Sequence, residues 1–172
     1  MGVPALPTPP RLQGLRPLMN ERTRVVVLGS FPGVASLRAA QYYGHERNQF
    51  WPLLGALWRI PLASMDYTAR VERALERGLG LWDVYASCVR VGSLDRSIEA
   101  PLWNDLSELQ RRSPALQAIA HNGGESARAM RRTGALGVCV YRLPSSSPAN
   151  ASWSFERKLA AWRVVFEAHE VM

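Results

Sequence analysis

The 172-residue sequence has one lysine, Lys158, against twenty arginines, so almost all of its positive charge sits on planar guanidinium forks. Acids are also scarce: 14 Asp and Glu face 21 Lys and Arg, a formal net charge of +7. The excess points to an anionic partner, nucleic acid first, although the coding bias of a GC-rich genome would give the same arginine skew. Two cysteines, Cys88 and Cys139, with no CxxC, exclude a disulfide framework and a four-thiolate cluster. His45 has no second histidine near it in sequence to make a metal pair, and neither a metal nor a cofactor is expected. There is no GxGxxG and no GxxxxGK[ST], so no dinucleotide fingerprint and no Walker loop. The N-terminus carries no long apolar run and no serine or threonine where a myristoylation signal needs one. A cytoplasmic protein with no membrane association is the expectation. The Asn150-Ala151-Ser152 triplet matches a glycosylation acceptor, but without a secretory signal it carries no weight.

What is present is enough for one core: 47% hydrophobic residues, six of them tryptophan. Residues 1–20, with four prolines in the first ten, read as a flexible lead-in, and residues 21–172 as one domain without repeats or internal linkers. Four short apolar runs read as strands: "RVVVLG" at 24–29, "LGLWDVYA" at 79–86, "ALQAIAHN" at 115–122 and "GVCVYRLP" at 137–144. Helical patterns alternate with them at 67–78, 104–112, 125–132 and 153–168. The last carries Phe155, Leu159, Trp162 and Phe166 as one apolar stripe. Strands alternating with helices imply an α/β domain with a mostly parallel sheet. The segments leaving the strands, "GSFPG", "DVYAS", "HNGG" and "LPSSSPANAS", then share one edge, where open α/β sheets bind ligands.

Each segment has a functional and a purely structural reading. "GSFPG", residues 29 to 33, can bring backbone amides up to a ligand or be only a tight strand-to-helix turn. In "QYYGHERNQFW" the aromatics Tyr42, Tyr43, Phe50 and Trp51 could stack on bases, with at least half of them expected in the core. Asn48 cannot act as a base at neutral pH, but its carboxamide can orient a water; alternatively it caps the helix starting near Phe50. Asp83, at a strand's C-terminal end, is either functional or paired with an arginine such as Arg90 or Arg96. Ser145, Ser146 and Ser147 could bind phosphate oxygens and Pro148 and Ala149 could press into a groove, or the segment is a solvated loop.

In this order, "LGSFPGVASL…YYGHERNQFW", "GLWDVYASCVRVGSLDRSI", "HNGGESA" and "LPSSSPANASW" resemble the uracil-DNA glycosylase superfamily, and most closely its hypoxanthine-DNA glycosylase branch, family six, over about residues 24–168. The resemblance implies a three-layer α/β/α fold around a central four-stranded, mostly parallel sheet. It implies a monofunctional enzyme of DNA repair, a monomer without cofactor, that flips a deaminated base out of DNA and hydrolyses its N-glycosidic bond. Deoxyinosine is the expected substrate, with uracil or xanthine as further ones. Alternatives are a uracil or mismatch thymine glycosylase of the same superfamily and a non-catalytic nucleic-acid-binding module.

On this resemblance Asn48 is the catalytic residue, with His45 and Glu46 as possible auxiliaries. Gly29, Ser30, Phe31, Pro32, Gly33, Tyr43, Phe50 and Asp83 would form the base pocket, with Asp83 accepting the N1 hydrogen that hypoxanthine has and adenine lacks. Ser145, Ser146 and Ser147 would hold phosphates, and Pro148, Ala149 and Asn150 would fill the gap in the duplex. The sequence departs from the family at Glu46, where the family carries proline, and at Leu143, where many members carry a base-contacting histidine.

Overall fold

A computed structural model describes residues 5–172. Its centre is a four-stranded parallel sheet built from β2 (Val25–Gly29), β3 (Leu79–Asp83), β6 (Ala118–Asn122) and β7 (Cys139–Leu143), in the spatial order β3-β2-β6-β7. All residues of β2, β3 and β6 are buried, as expected where a parallel sheet is covered on both faces and its strands become continuous apolar runs. The two faces follow the pleat. Val25, Val27, Leu79, Leu81, Ala118 and Ala120 pack toward α2 (Phe50–Trp58), α3 (Tyr67–Glu76) and α7 (Phe155–Ala168). Val26, Leu28, Trp82 and Ile119 pack the other way, with Leu109 of α4 (Glu108–Arg112) and with Ala129. The four expected strands and the mostly parallel sheet are thus present, with helices on both sides.

The stripe of α7 packs as its spacing requires: Trp162 and Phe166 are fully buried and Phe155 and Leu159 partly so. Ser154 starts this helix by accepting from the Arg157 N–H, as Asp66 starts α3 by accepting from that of Ala69. Two expected helices are shorter. The pattern at 104–112 becomes helical only at Glu108, because Asp105 Oδ1 accepts from the Ser107 backbone and hydroxyl and holds a turn first. The pattern at 125–132 divides into α5 (Gly124–Ala127) and α6 (Met130–Gly134).

A second sheet was not foreseen. The run 79–86 ends as a parallel strand at Asp83, and after Val84 the chain re-enters strand as β4 (Tyr85–Val89), antiparallel to β1 (Arg11–Gln13) and β5 (Glu99–Trp103). The lead-in therefore differs from the expected flexible segment. From Arg11 it is part of this sheet, and Leu18 exchanges two backbone hydrogen bonds with Leu81, both 2.8 Å. Residues 1–4, which include Pro4 of the proline-rich start, lie outside the described residues. Among the described residues no helix is long and apolar enough to cross a membrane.

Candidate active site

The ends of the four parallel strands open into a cleft of about 1240 Å³, lined by Gly29–Gly33, Asp83, Asn122–Gly124 and Leu143–Asn150. Tyr43, His45, Arg47 and Asn48 enter it from the loop before α2, and Ser93–Arg96 from the connection between β4 and β5. Three of the four segments expected to share one edge meet there, while of "DVYAS" only Asp83 does, because the chain enters β4 at Tyr85. Three exposed arginines, Arg47, Arg96 and Arg142, stand on its walls, so its outer parts suit a polyanion.

Deep in the cleft Asp83 ends β3, parallel to and in register with Gly29 of β2. Its side chain is 5% exposed and, among the described residues, makes no ion pair and leaves Oδ2 buried without a hydrogen-bond partner. Burial raises its pKa from 3.8 to about 7; the nearby Asp95 adds to the rise and Arg90 opposes it. Arg90 is not paired with it. Arg90 Nη2 donates to the Pro32 carbonyl at 2.6 Å and Nε to that of Gly92 at 2.8 Å, and its guanidinium lies 5.2 Å from the Phe31 ring centre. Arg90 therefore braces the "GSFPG" turn and backs Phe31. Asp95 accepts from the Ser30 hydroxyl at 2.5 Å, which ties the β4–β5 connection to the same turn.

Asn122 ends β6 and joins three parts of the cleft. Its Oδ1 accepts from the Ser146 backbone N–H and its Nδ2 donates to Ser146 Oγ, both at 2.9 Å; Nδ2 also donates to Tyr43 Oη at 3.2 Å. Tyr43 holds a left-handed backbone (φ 55°), a strained state for an aromatic residue. Its ring stacks on Phe50 with centroids 3.9 Å apart, and burial pushes its phenol well above the usual range. Gly123, at φ 98°, lets Ser145 approach to where a β-carbon would meet it at 3.0 Å.

Asn48 is half-buried on the cleft wall. Its Oδ1 accepts from the Phe50 N–H at 2.9 Å, so it also steadies the start of α2, while its Nδ2 has no protein partner among the described residues. His45 is exposed and accepts at Nδ1 from the Arg47 N–H at 3.1 Å. No group of His, Cys, Asp and Glu among the described residues is arranged to hold a metal ion.

A family model described as "Uracil DNA glycosylase superfamily" matches residues 17–166. The chain belongs to the uracil DNA glycosylase superfamily. It is 36% identical over 155 residues to the hypoxanthine DNA glycosylase of Methanosarcina barkeri, covering 90% of this chain and 98% of that one. It is 34% identical over 154 residues to the hypoxanthine DNA glycosylase of Methanosarcina acetivorans, covering 90% and 97%. The solution NMR structure of a candidate uracil DNA glycosylase from Methanosarcina acetivorans superposes with a TM-score of 0.84 at 34% identity, covering 93% of this chain and 99% of that one.

Within this superfamily scaffold most of the residues singled out by sequence meet in the cleft, and three stand differently. Phe50 is fully buried behind Tyr43 and belongs to the core, not to the pocket wall. Glu46 is exposed and is not among the cleft-lining residues. Ser146 is fully buried and its backbone N–H and hydroxyl are both bonded to Asn122, so it anchors its loop and cannot meet a phosphate. Leu143, at the family's histidine position, is buried at the cleft floor. Sequence reasoning did not single out Asn122 or Asp95, and it named Arg90 only as a possible partner of Asp83. The place of Asn122 at a strand end on the convergent edge was the one available signal.

Proposed function

We propose that this chain is a monofunctional DNA glycosylase that flips a deaminated base, deoxyinosine first, out of DNA and hydrolyses its N-glycosidic bond. The observation that carries the reading is that Asp83, a buried carboxyl without a partner among the described residues, and the half-buried carboxamide of Asn48 line one arginine-walled cleft. Two relatives named hypoxanthine DNA glycosylase support the choice of substrate.

In the reaction the C1′–N9 bond breaks, a water oxygen bonds to C1′, and one water proton passes to the departing base or to solvent. Positive charge develops on the sugar and negative charge on the base, so oriented dipoles do most of the work and no strong base is needed. Asn48 positions the water with its Nδ2 and the remaining lone pair of Oδ1. Backbone N–H groups at Ser30 and Phe31, just past the end of β2, favour the negative base, and the Phe31 side chain, largely buried but lining the cleft, bounds the ring. Asp83 accepts the N1 hydrogen of hypoxanthine, and when protonated it also donates to O6. Ser145 and Ser147 bind phosphates, with Pro148, Ala149 and Asn150 in the gap left by the flipped base.

Labelled duplexes containing deoxyinosine, deoxyuridine or deoxyxanthosine, incubated with the protein and then treated with alkali, test the reading. Scission at deoxyinosine is expected. Absence of scission on every substrate overturns it in favour of a non-catalytic nucleic-acid-binding module.

A further inference from the structure

The sequence's one lysine is also deeply buried: Lys158, in the first turn of α7, is 2% exposed. An ammonium group is costly to remove from water unless it is hydrogen-bonded, and a leucine or methionine at an inward position of an amphipathic helix would avoid that cost. Its Nζ donates to Oε1 of Gln49 at 2.8 Å, and burial lowers its pKa. Gln49 adjoins Asn48, forms the N-cap of α2, and donates its backbone N–H to the Ser146 carbonyl at 2.9 Å. Ser146 is the residue that Asn122 holds from the other side. One turn along α7, Trp162 Nε1 donates to the Pro144 carbonyl at 3.1 Å, and Ala161 between them lines the cleft. The inward face of α7 thus reaches two of the loops that line the cleft.

We propose, on the reading of this cleft as a glycosylase site, that Lys158 is a positioning residue: it fixes Gln49 and thereby the spacing between the Asn48 loop and the Ser145–Asn150 loop. An apolar residue there would leave the Gln49 carboxamide without its donor, so α7 would hold the Ser145–Asn150 loop through Trp162 and no longer hold the Asn48 loop through Gln49. The amine is buried and bonded to Gln49, so it acts through Gln49 and not on the substrate.

Lys158→Met removes the donor and keeps the length of the side chain. Single-turnover release of hypoxanthine from a deoxyinosine duplex at saturating enzyme is expected to fall at least about tenfold, with duplex Kd changed less than about threefold and Tm not lowered. Gln49→Met should lose a similar factor, and the double variant no more than about twofold beyond the weaker single one. A Lys158→Met rate within about twofold of the parent, losses that multiply, or a fall in rate matched by a fall in Tm overturns the role. If the parent protein releases no base, the glycosylase reading fails by itself. The network is then judged by amide hydrogen exchange: faster exchange of the Gln49 N–H in Lys158→Met, by about tenfold or more, supports it, and unchanged exchange overturns it.

Discussion

A β-carbon placed on Gly29 would lie 2.4 Å from Oδ1 of Asp83. The two residues are register partners at the ends of β2 and β3, and the glycine is what lets the carboxyl lie across the floor of the cleft. Gly29→Ala must therefore push Asp83 aside. The expected outcome is a loss of about 100-fold in kcat/KM on deoxyinosine duplexes, with about 1–3 kcal/mol of stability lost to overpacking. Steady-state kinetics beside urea melts would show it, and parental kinetics in the variant would contradict the placement of Asp83.

Asp83 also predicts a pH dependence of stability. Its pKa rises from 3.8 to about 7 on folding, so between these values the folded protein keeps a proton that the unfolded chain has released. Stability then falls as pH rises through that window and levels off above it. Asp83→Asn carries no such ionisation. The variant should gain on the parent steadily from about pH 4 to about pH 8, by at most about 4 kcal/mol. Urea melts at a series of pH values give the difference, and a constant offset at every pH would contradict the buried, partnerless state of the carboxyl.

Asn122→Ala deletes three hydrogen bonds at once, two to Ser146 and one to Tyr43, and leaves the buried Ser146 groups without partners. We expect about 2–4 kcal/mol of destabilisation and a loss of activity larger than that of Ser146→Ala. Asn122→Asp keeps an acceptor for the Ser146 N–H but loses both donations, and should fall between the parent and Asn122→Ala. The three-way order, measured by melts and single-turnover rates, fails if Asn122→Asp is the most active of the set.

The central sheet was legible because strands buried on both faces leave unbroken apolar runs such as "VVVLG", and because the glycines and polar residues that follow them mark the ligand edge. The second sheet was not. Between Asp83 and Tyr85 the sequence has a single Val84 and no turn residue, so the move from one sheet to the other left no punctuation, and Pro101 in β5 argued against a strand. Of the site, Asn48 and Asp83 could be picked out from their segments and from the family resemblance. The role of Asn122 could not, since Tyr43 and Ser146 lie 79 and 24 residues away in sequence and only the fold joins them. The same holds for Phe50 and Ser146: residue type suggested contact with DNA, and burial assigns both to the interior.

The most direct test is single-turnover release of hypoxanthine from a deoxyinosine duplex by the parent protein and by Asn48→Ala. In the proposed mechanism Asn48 supplies the water-orienting carboxamide, so base release by the parent and a loss of about 100-fold or more in the variant are expected, with circular dichroism unchanged. A variant rate within about threefold of the parent, less than about 1 kcal/mol of barrier, would contradict the catalytic role of Asn48.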